Sequence, residues 1–302
     1  MTPISPETLA AAAPYWWVGG LINAFFLAGI VMVNSHYRVD GTAIIFIRSL
    51  VVSVVLWPVA LAVGLPTSPM FWAATIGAGV LATVGDSLVM NSASRYGAGV
   101  TSRLLPMSPL AGFLFWFVVH PEKLAELLAR PWVALGVLGA LVGCVVALAC
   151  LRSNAVTRAA MFYLAPIIVL YGLNDVLNKT AQDHAPAGQG GLVYIWLISV
   201  TVTVCAALLL LGRGRMTKTI TLNRKVYKAG LWLGGLYILA MLGRNTAMTL
   251  AINPAYASII GSSAPLWVYA WHRWKGIPDS ASPMAGFAFV ASAALLILFA
   301  SL

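Results

Sequence analysis

Five charged side chains interrupt stretches that are otherwise apolar. Arg48 lies in GTAIIFIRSLVV, Asp86 in LATVGDSLVM and Asp175 in VLYGLNDVLNK. Arg103 follows Thr101 and Ser102, and Arg244 precedes Asn245 and Thr246 in LYILAMLGRNTAMTL. A charge at the centre of a lipid-facing helix costs about 2.5–3.5 kcal/mol, so such groups face a bundle interior or water. There they can hold a charged solute, couple to an ion or pair with one another. Three arginines stand against two aspartates, an excess of one positive charge that a mobile anion or zwitterion would balance. Arg244 sits close to the position related to Asp86 by the internal repeat described below, so an Asp86–Arg244 pair across the two halves is expected. A structural salt bridge would leave the same trace in the sequence.

Asn23, Tyr163, Tyr171, Asn174 and Asn245 are candidates to line a cavity beside these charges, with Asn34 and Asn178. Each is equally readable as an ordinary packing or hydrogen-bonding residue. Pro106 and Pro109 lie in PMSP, and Pro265 at the matching place in the second half. They are expected to kink their helices and free backbone carbonyls. Catalysis finds less support. His36, His120, His184 and His272 fall in different loops, and no HExxH, GxSxG, phosphate loop or dinucleotide fingerprint occurs. Cys144, Cys150 and Cys205 lie in apolar runs without metal-ligand spacing. The chain is therefore read as neither an enzyme nor a holder of a metal or cofactor.

The surrounding composition says what must position these residues. Of 302 residues, 61% are hydrophobic and only 9% charged, against about 25% charged in an ordinary soluble domain. Mean hydropathy is +0.90. This excludes a soluble fold and implies a polytopic membrane protein. Ten apolar stretches approach the ~20 residues a spanning helix needs. They run at about 15–34, 42–64, 70–90, 99–119, 131–151, 157–178, 191–212, 229–251, 254–271 and 283–301. The segment HPEKLAELLAR is expected to form a short interfacial helix. MTPISPETLAAAAPYWW has no basic n-region, so the first apolar run is expected to remain as a span.

The net charge of +10 is spread over loops rather than gathered in a nucleic-acid patch. Loops after odd-numbered spans hold Arg38, Arg95, Arg152, Arg213, Arg215, Lys218, Arg224, Lys225, Lys228, Arg273 and Lys275; the opposite loops hold Lys123, Arg130 and Lys179. The positive-inside rule puts the first set in the cytosol. Gly136, Gly139 and Gly143 are expected to form one close-packing face, and Trp16, Trp17, Trp132, Trp271 and Trp274 an aromatic belt.

SASRYGAGVTSRLLPMSPL (92–110) aligns without a gap to MTLAINPAYASIIGSSAPL (248–266), matching Pro109 to Pro265. Two five-span units follow, 1–151 and 152–302. An odd number of spans inverts the second unit relative to the first, as in many secondary transporters.

The chain resembles the drug/metabolite transporter superfamily, in particular its EamA-like ten-helix members, over nearly its whole length. The resemblance is carried by NSASRYGAGVTSRLLPMSPLAGFLFWFVVHPEKLAELLARPWVALGVLGALVGCVVAL, with Pro109, Glu122, Gly136 and Gly143 in the expected places, by NPAYASIIGSSAPLWVY, and by Arg48 in the second span. HRWKGIPDSAS departs from it, lacking a glutamate like Glu122. The resemblance implies an all-α polytopic fold of ten transmembrane helices in two inverted repeats, a central cavity and secondary transport across the cytoplasmic (inner) membrane. The expected cargo is a small polar metabolite, a carboxylate or amino acid, with a proton as the candidate coupling ion. Membrane lipid is the other partner; nucleic acid is not one, and monomer and homodimer both stay open. Export of cationic or hydrophobic compounds and a non-transporting scaffold are the competing readings.

Overall fold

The computed structural model describes residues 6–37, 39–96, 104–151, 157–185, 190–217, 223–278 and 280–302, with side chains except those of 6, 90–96, 190 and 213–217. Every regular element among them is helical. Among the described residues eight helices are long and apolar enough to cross a membrane. The protein is an all-α, multi-pass membrane protein.

The chain begins with a short helix α1 (Pro6–Ala12) that leads through one 3₁₀ turn into α2 (Trp16–Tyr37). Then come α3 (Gly41–Val63) and α4 (Pro69–Tyr96). A 3₁₀ turn at Leu105–Met107 opens α5 (Ser108–Val119), followed by α6 (Pro121–Leu128) and α7 (Pro131–Cys150). The second half holds α8 (Arg158–Asp183), α9 (Gly190–Thr217), α10 (Arg224–Leu250), α11 (Pro254–Gly261), α12 (Ala264–Lys275) and α13 (Pro283–Ala300). Side chains start several of them. Asp40 accepts from the Ala43 amide at 2.8 Å, Asn223 from Lys225 and Val226, and Asn253 from Ala255 at 2.9 Å. Such caps answer amides that have no intrahelical partner and contribute about 1 kcal/mol each.

The apolar side chains are distributed as lipid requires. Phe162, Trp132, Val118, Met284 and Phe287 are all more than 70% exposed. Their fully buried counterparts, such as Phe71, Leu141 and Ile259, join helices to one another. Helices pair through small residues, because close backbone approach replaces the hydrophobic drive that lipid removes. α2 packs on α10, α4 on α8, α3 on α9 and on α10, α7 on α13, and α5 on α8. At the α2–α10 crossing, a Cβ on Gly243 would come within 2.8 Å of the Gly19 carbonyl oxygen.

Several expectations change. One of the ten expected spans, the ninth, is not a continuous long helix, and the start of the fourth lies outside the described residues. The fourth is described only from residue 104 on, while α4 runs on to Tyr96, beyond its expected end. The ninth is divided into α11 and α12 at Ser262–Ser263. Pro109 and Pro265 do not kink a continuous helix: each is the second residue of one, α5 and α12, where a missing N–H leaves no bond unmade. Pro106 sits in the 3₁₀ turn just before α5. The prolines inside helices are Pro58 and Pro166. Gly136 and Gly143 meet Phe299 and Ser292 of α13, but Gly139 has nothing within 4 Å of an added Cβ and is not part of that face. Trp16 is 3% exposed and packs on Tyr256 with ring centroids 5.9 Å apart, so it belongs to the core rather than to a belt. Trp132 and Trp274 are exposed as a belt requires. HPEKLAELLAR does form a short helix, α6, with no buried residue. Lys179, expected in a loop, is buried in α8 and pairs with Asp183 at 2.7 Å.

Candidate functional site

Four of the five intramembrane charges meet as two ion pairs inside the bundle. Arg103 lies outside the described residues. α3 carries Arg48 towards α4, where Arg48 Nη2 stands 3.6 Å from Asp86 Oδ2. That distance is attraction without a hydrogen bond. α10 carries Arg244 towards α8, where it donates to Asp175 Oδ1 in a tight, hydrogen-bonded pair. The expected Asp86–Arg244 pair is not the one formed: each aspartate takes the other arginine. Helical spacing says which face a residue occupies, but not which helix lies opposite.

Two tyrosines join the pairs. Tyr171 donates its O–H to Asp86 Oδ1 at 2.7 Å. It stands one turn from Asp175 on the same face of α8, so one helix touches both aspartates' surroundings. Tyr237 lies under the Arg48 guanidinium, 4.3 Å from ring centroid to Cζ, in a cation–π contact. Two turns along α10 comes Arg244, and Tyr237 is within electrostatic reach of Arg48, Asp86 and Arg244 together. The arrangement is a chain of charge and phenol across four helices.

Glycines allow this proximity. An added Cβ on Gly85 would stand 3.4 Å from the Tyr171 ring, so the residue before Asp86 leaves room for the phenol. At the α5–α8 crossing, a Cβ on Gly172 would approach the Gly112 amide nitrogen to 2.8 Å. That close approach brings α5 alongside Asp175. Ser258 of α11 also lies beside the Asp175 carboxylate, near enough to interact but without hydrogen-bond geometry.

A cavity of about 140 Å³ opens on the first pair. Arg48, Asp86 and Asn34 supply its polar groups; Ile30, Ile44, Ile45, Val89 and Leu233 supply the rest. Arg48 Nε is buried with no partner. A cavity of this order accepts roughly a benzene-sized molecule. Among the described residues no group of three or more His, Cys, Asp or Glu side chains could hold a metal ion.

No family model and no curated protein matches the sequence. A solved crystal structure, described only as that of a protein, superposes with a TM-score of 0.71 over 96% of this chain and 98% of its own, at 17% sequence identity. The likeness is one of fold. A whole-length match shows that this helix arrangement recurs as a unit, and it carries no substrate or activity across.

The remaining expected residues fall at different distances from the pairs. Asn174 is buried beside Asp175 in sequence, its Oδ1 unpartnered. Asn245 follows Arg244 and donates to the Gly191 carbonyl at 3.0 Å, tying α10 to the start of α9. Asn23 is buried where α2 meets α10 and α11, against Gly243 and Gly261, and does not line the cavity. Tyr163 lies half-buried near the start of α8, about two turns before Tyr171. Sequence reasoning missed Tyr237 and Tyr194. Tyr237 had a signal, since it precedes Arg244 by two turns and so shares its face. Tyr194, buried in α9 near Arg244 and Asp175, stands among apolar neighbours and gave none.

Proposed function

We propose that the protein is a secondary transporter of a small polar metabolite, built like the drug/metabolite transporters as ten helices in two inverted repeats, residues 1–151 and 152–302, in the cytoplasmic (inner) membrane. The cavity that exposes Arg48 and Asp86 together carries this reading. The packing supports the repeat. Exchanging the two halves turns the α2–α10 contact into α8–α4, and α5–α8 into the contact of α11 and α12 with α2. The same exchange returns α3–α9 and α7–α13 to themselves. Pro109 and Pro265 each stand second in a helix, α5 and α12, which is the symmetry the aligned sequences anticipate. Alternating access about such an interface is the motion this architecture favours.

The substrate class follows from the charge balance. Among the described residues Arg48 with Asp86, and Arg244 with Asp175, sum to zero; Arg103 lies outside them. A carboxylate-bearing amine can answer Arg48 with its carboxylate and Asp86 with its ammonium, leaving no charge unpaired. An amino acid with a short apolar side chain suits the aliphatic walls.

Purified protein in proteoliposomes tests this. Alanine should exchange, and should bind more tightly than propionate, propionamide or ethylamine. Tighter binding of the amine, with no response to the carboxylate, would transfer the assignment to cations. No movement of any zwitterion, anion or cation in a broad panel would overturn transport and favour a scaffold.

A further inference from the structure

The far half of the bundle contains buried polar atoms that no group among the described residues answers. Asn178 is 0% exposed, and neither its amide nitrogen nor its oxygen has a partner. Gln182 Nε2, the Tyr194 hydroxyl and Asn245 Oδ1 are likewise buried and unpartnered. More than nine in ten buried polar groups find a partner, and each left unmade costs about 1–3 kcal/mol. Four such residues in one neighbourhood mark a place that something else completes.

They do share a neighbourhood. Tyr171, Asp175, Asn178 and Gln182 recur at four- and three-residue spacing and form one face of α8. Tyr194 of α9 is within electrostatic reach of both Arg244 and Asp175. Asn245 is next to Arg244 and holds the start of α9 through Gly191. Leu177 and Ala181, between these α8 positions, share a core cluster with Val193 and Tyr194. The cluster thus runs from the Arg244–Asp175 pair towards the end of α8 and the start of α9.

It also lies at the other end of the bundle from the open cavity. Along α10 the cavity touches Leu233, and the cluster holds Asn245. Twelve residues of helix separate them, about 18 Å. The cavity uses the end of α2 and the start of α3. The cluster uses the end of α8 and the start of α9, the elements that exchanging the halves puts in their place.

We infer that Asn178, Gln182, Tyr194 and Asn245, with the Arg244–Asp175 pair, form a second substrate position, occluded in this structure, that takes the same zwitterionic solute as the open cavity. This rests on the transport reading. The chemistry repeats: Arg48, Asp86 and Asn34 at one position, Arg244, Asp175 and Asn178 at the other. Each offers a cation for a carboxylate, an anion for an ammonium and an amide for either. The paired charges leave no net charge, so a lipophilic cation or a simple anion would find no matching counter-charge. Tyr171, bonded to Asp86 and one turn from Asp175, stands between the positions.

Single cysteines test the inference in a background with Cys144, Cys150 and Cys205 replaced by alanine and alanine exchange retained. Asn34→Cys and Gln182→Cys are labelled in sealed vesicles with a membrane-impermeant maleimide. Asn34→Cys should react from the face that carries the 213–228 loop. Gln182→Cys should react from the opposite face only, at least tenfold faster while alanine is exchanging than without it. Asn178→Leu provides a second readout. Removing the unanswered amide should raise thermal stability, slow alanine exchange at least tenfold and leave alanine binding to the detergent-solubilised protein within twofold. If Gln182→Cys itself exchanges alanine yet resists labelling from both faces, or Asn178→Leu exchanges like wild type, the second position is wrong and transport stands. If wild type moves no solute in the panel, transport itself falls, and this position with it.

Discussion

The two ion pairs use the same residues and differ in closure. Arg244 donates directly to Asp175, whose side chain is 7% exposed. Arg48 and Asp86 stand apart at 3.6 Å, with Asp86 26% exposed to a cavity. Water can partly replace a lost partner at Asp86 but not at Asp175. A buried pair repays its desolvation only when its geometry is good, and removing one partner leaves the other uncompensated. Stability should therefore concentrate in the closed pair, and ligand response in the loose one.

The largest effect tests that division. Arg244→Ala should lose about 3–5 kcal/mol, because it abandons the 7%-exposed Asp175 carboxylate. Arg48→Ala should lose about 1 kcal/mol, because Asp86 is 26% exposed and keeps its bond from Tyr171. Thermal unfolding in one detergent measures both. The double variant Asp175→Leu/Arg244→Met should recover most of the loss, because it removes both charges. Equal losses for Arg48→Ala and Arg244→Ala would erase the distinction.

The next effect is functional. Asp86→Asn keeps much of the shape and removes the charge. It should reduce both counterflow and pH-driven net uptake of alanine about tenfold or more at normal folded yield, because Asp86 is the charge that answers the ammonium of the bound solute. Unchanged net uptake and pH response would make Asp86 a structural residue. Loss of counterflow together with folded yield would return it to the structural pairs.

These two regions were legible to different degrees in the sequence. The charges were visible because they interrupt long apolar runs, and the cost of lipid exposure forces them inward. Their partners were not visible, since a period of 3.6 residues fixes a face and not a neighbour. The polar face of α8 could be read from Tyr171, Asn174, Asp175 and Asn178 at helical spacing. Its isolation from hydrogen-bonding groups on α9 could not, because that depends on packing. The long helices follow from apolar runs; the divided ninth element does not, because Ser262 and Ser263 interrupt an apolar run too briefly to end it by composition. Gly139 shows the same limit, having the spacing of a packing face and no helix against it.

Glycines at the α5–α8 crossing sharpen the comparison at the level of ångströms. A Cβ on Gly172 would meet Ala111 Cβ and the Gly112 nitrogen at 2.8 Å, whereas one on Gly112 would stand 3.5 Å from Asp175 Cβ. Gly172→Ala should therefore cost about 1–3 kcal/mol through overpacking beside the closed pair. Gly112→Ala should be nearly neutral. Melting of the two variants side by side checks this, and equal behaviour would mean that the crossing relaxes without strain.

The smallest effect is expected outside both pairs, at an exposed contact that sets the baseline for a carboxylate in water. Glu122 opens the interfacial helix α6, and its Oε1 is 3.0 Å from His120 Nδ1. Its own backbone N–H, and then His120, hold its carboxyl below the ordinary glutamate value of 4.5. A depressed value means the charged form is favoured in the folded chain. The contribution is then present above about pH 4.5 and is lost as the pH falls through the lower, folded value. Glu122→Gln should thus lower the melting temperature slightly at neutral pH, with the gap to wild type closing as the solution is acidified and alanine exchange unaffected. Screening by salt should shrink the gap further, as it does for any surface pair. A gap that widens on acidification would mean the protonated carboxyl is the favoured form, and the assignment of this contact would be reversed. A gap as large as that of Arg244→Ala would show that exposure does not separate weak pairs from strong ones in this protein, and would remove the basis for assigning stability to one ion pair and ligand response to the other.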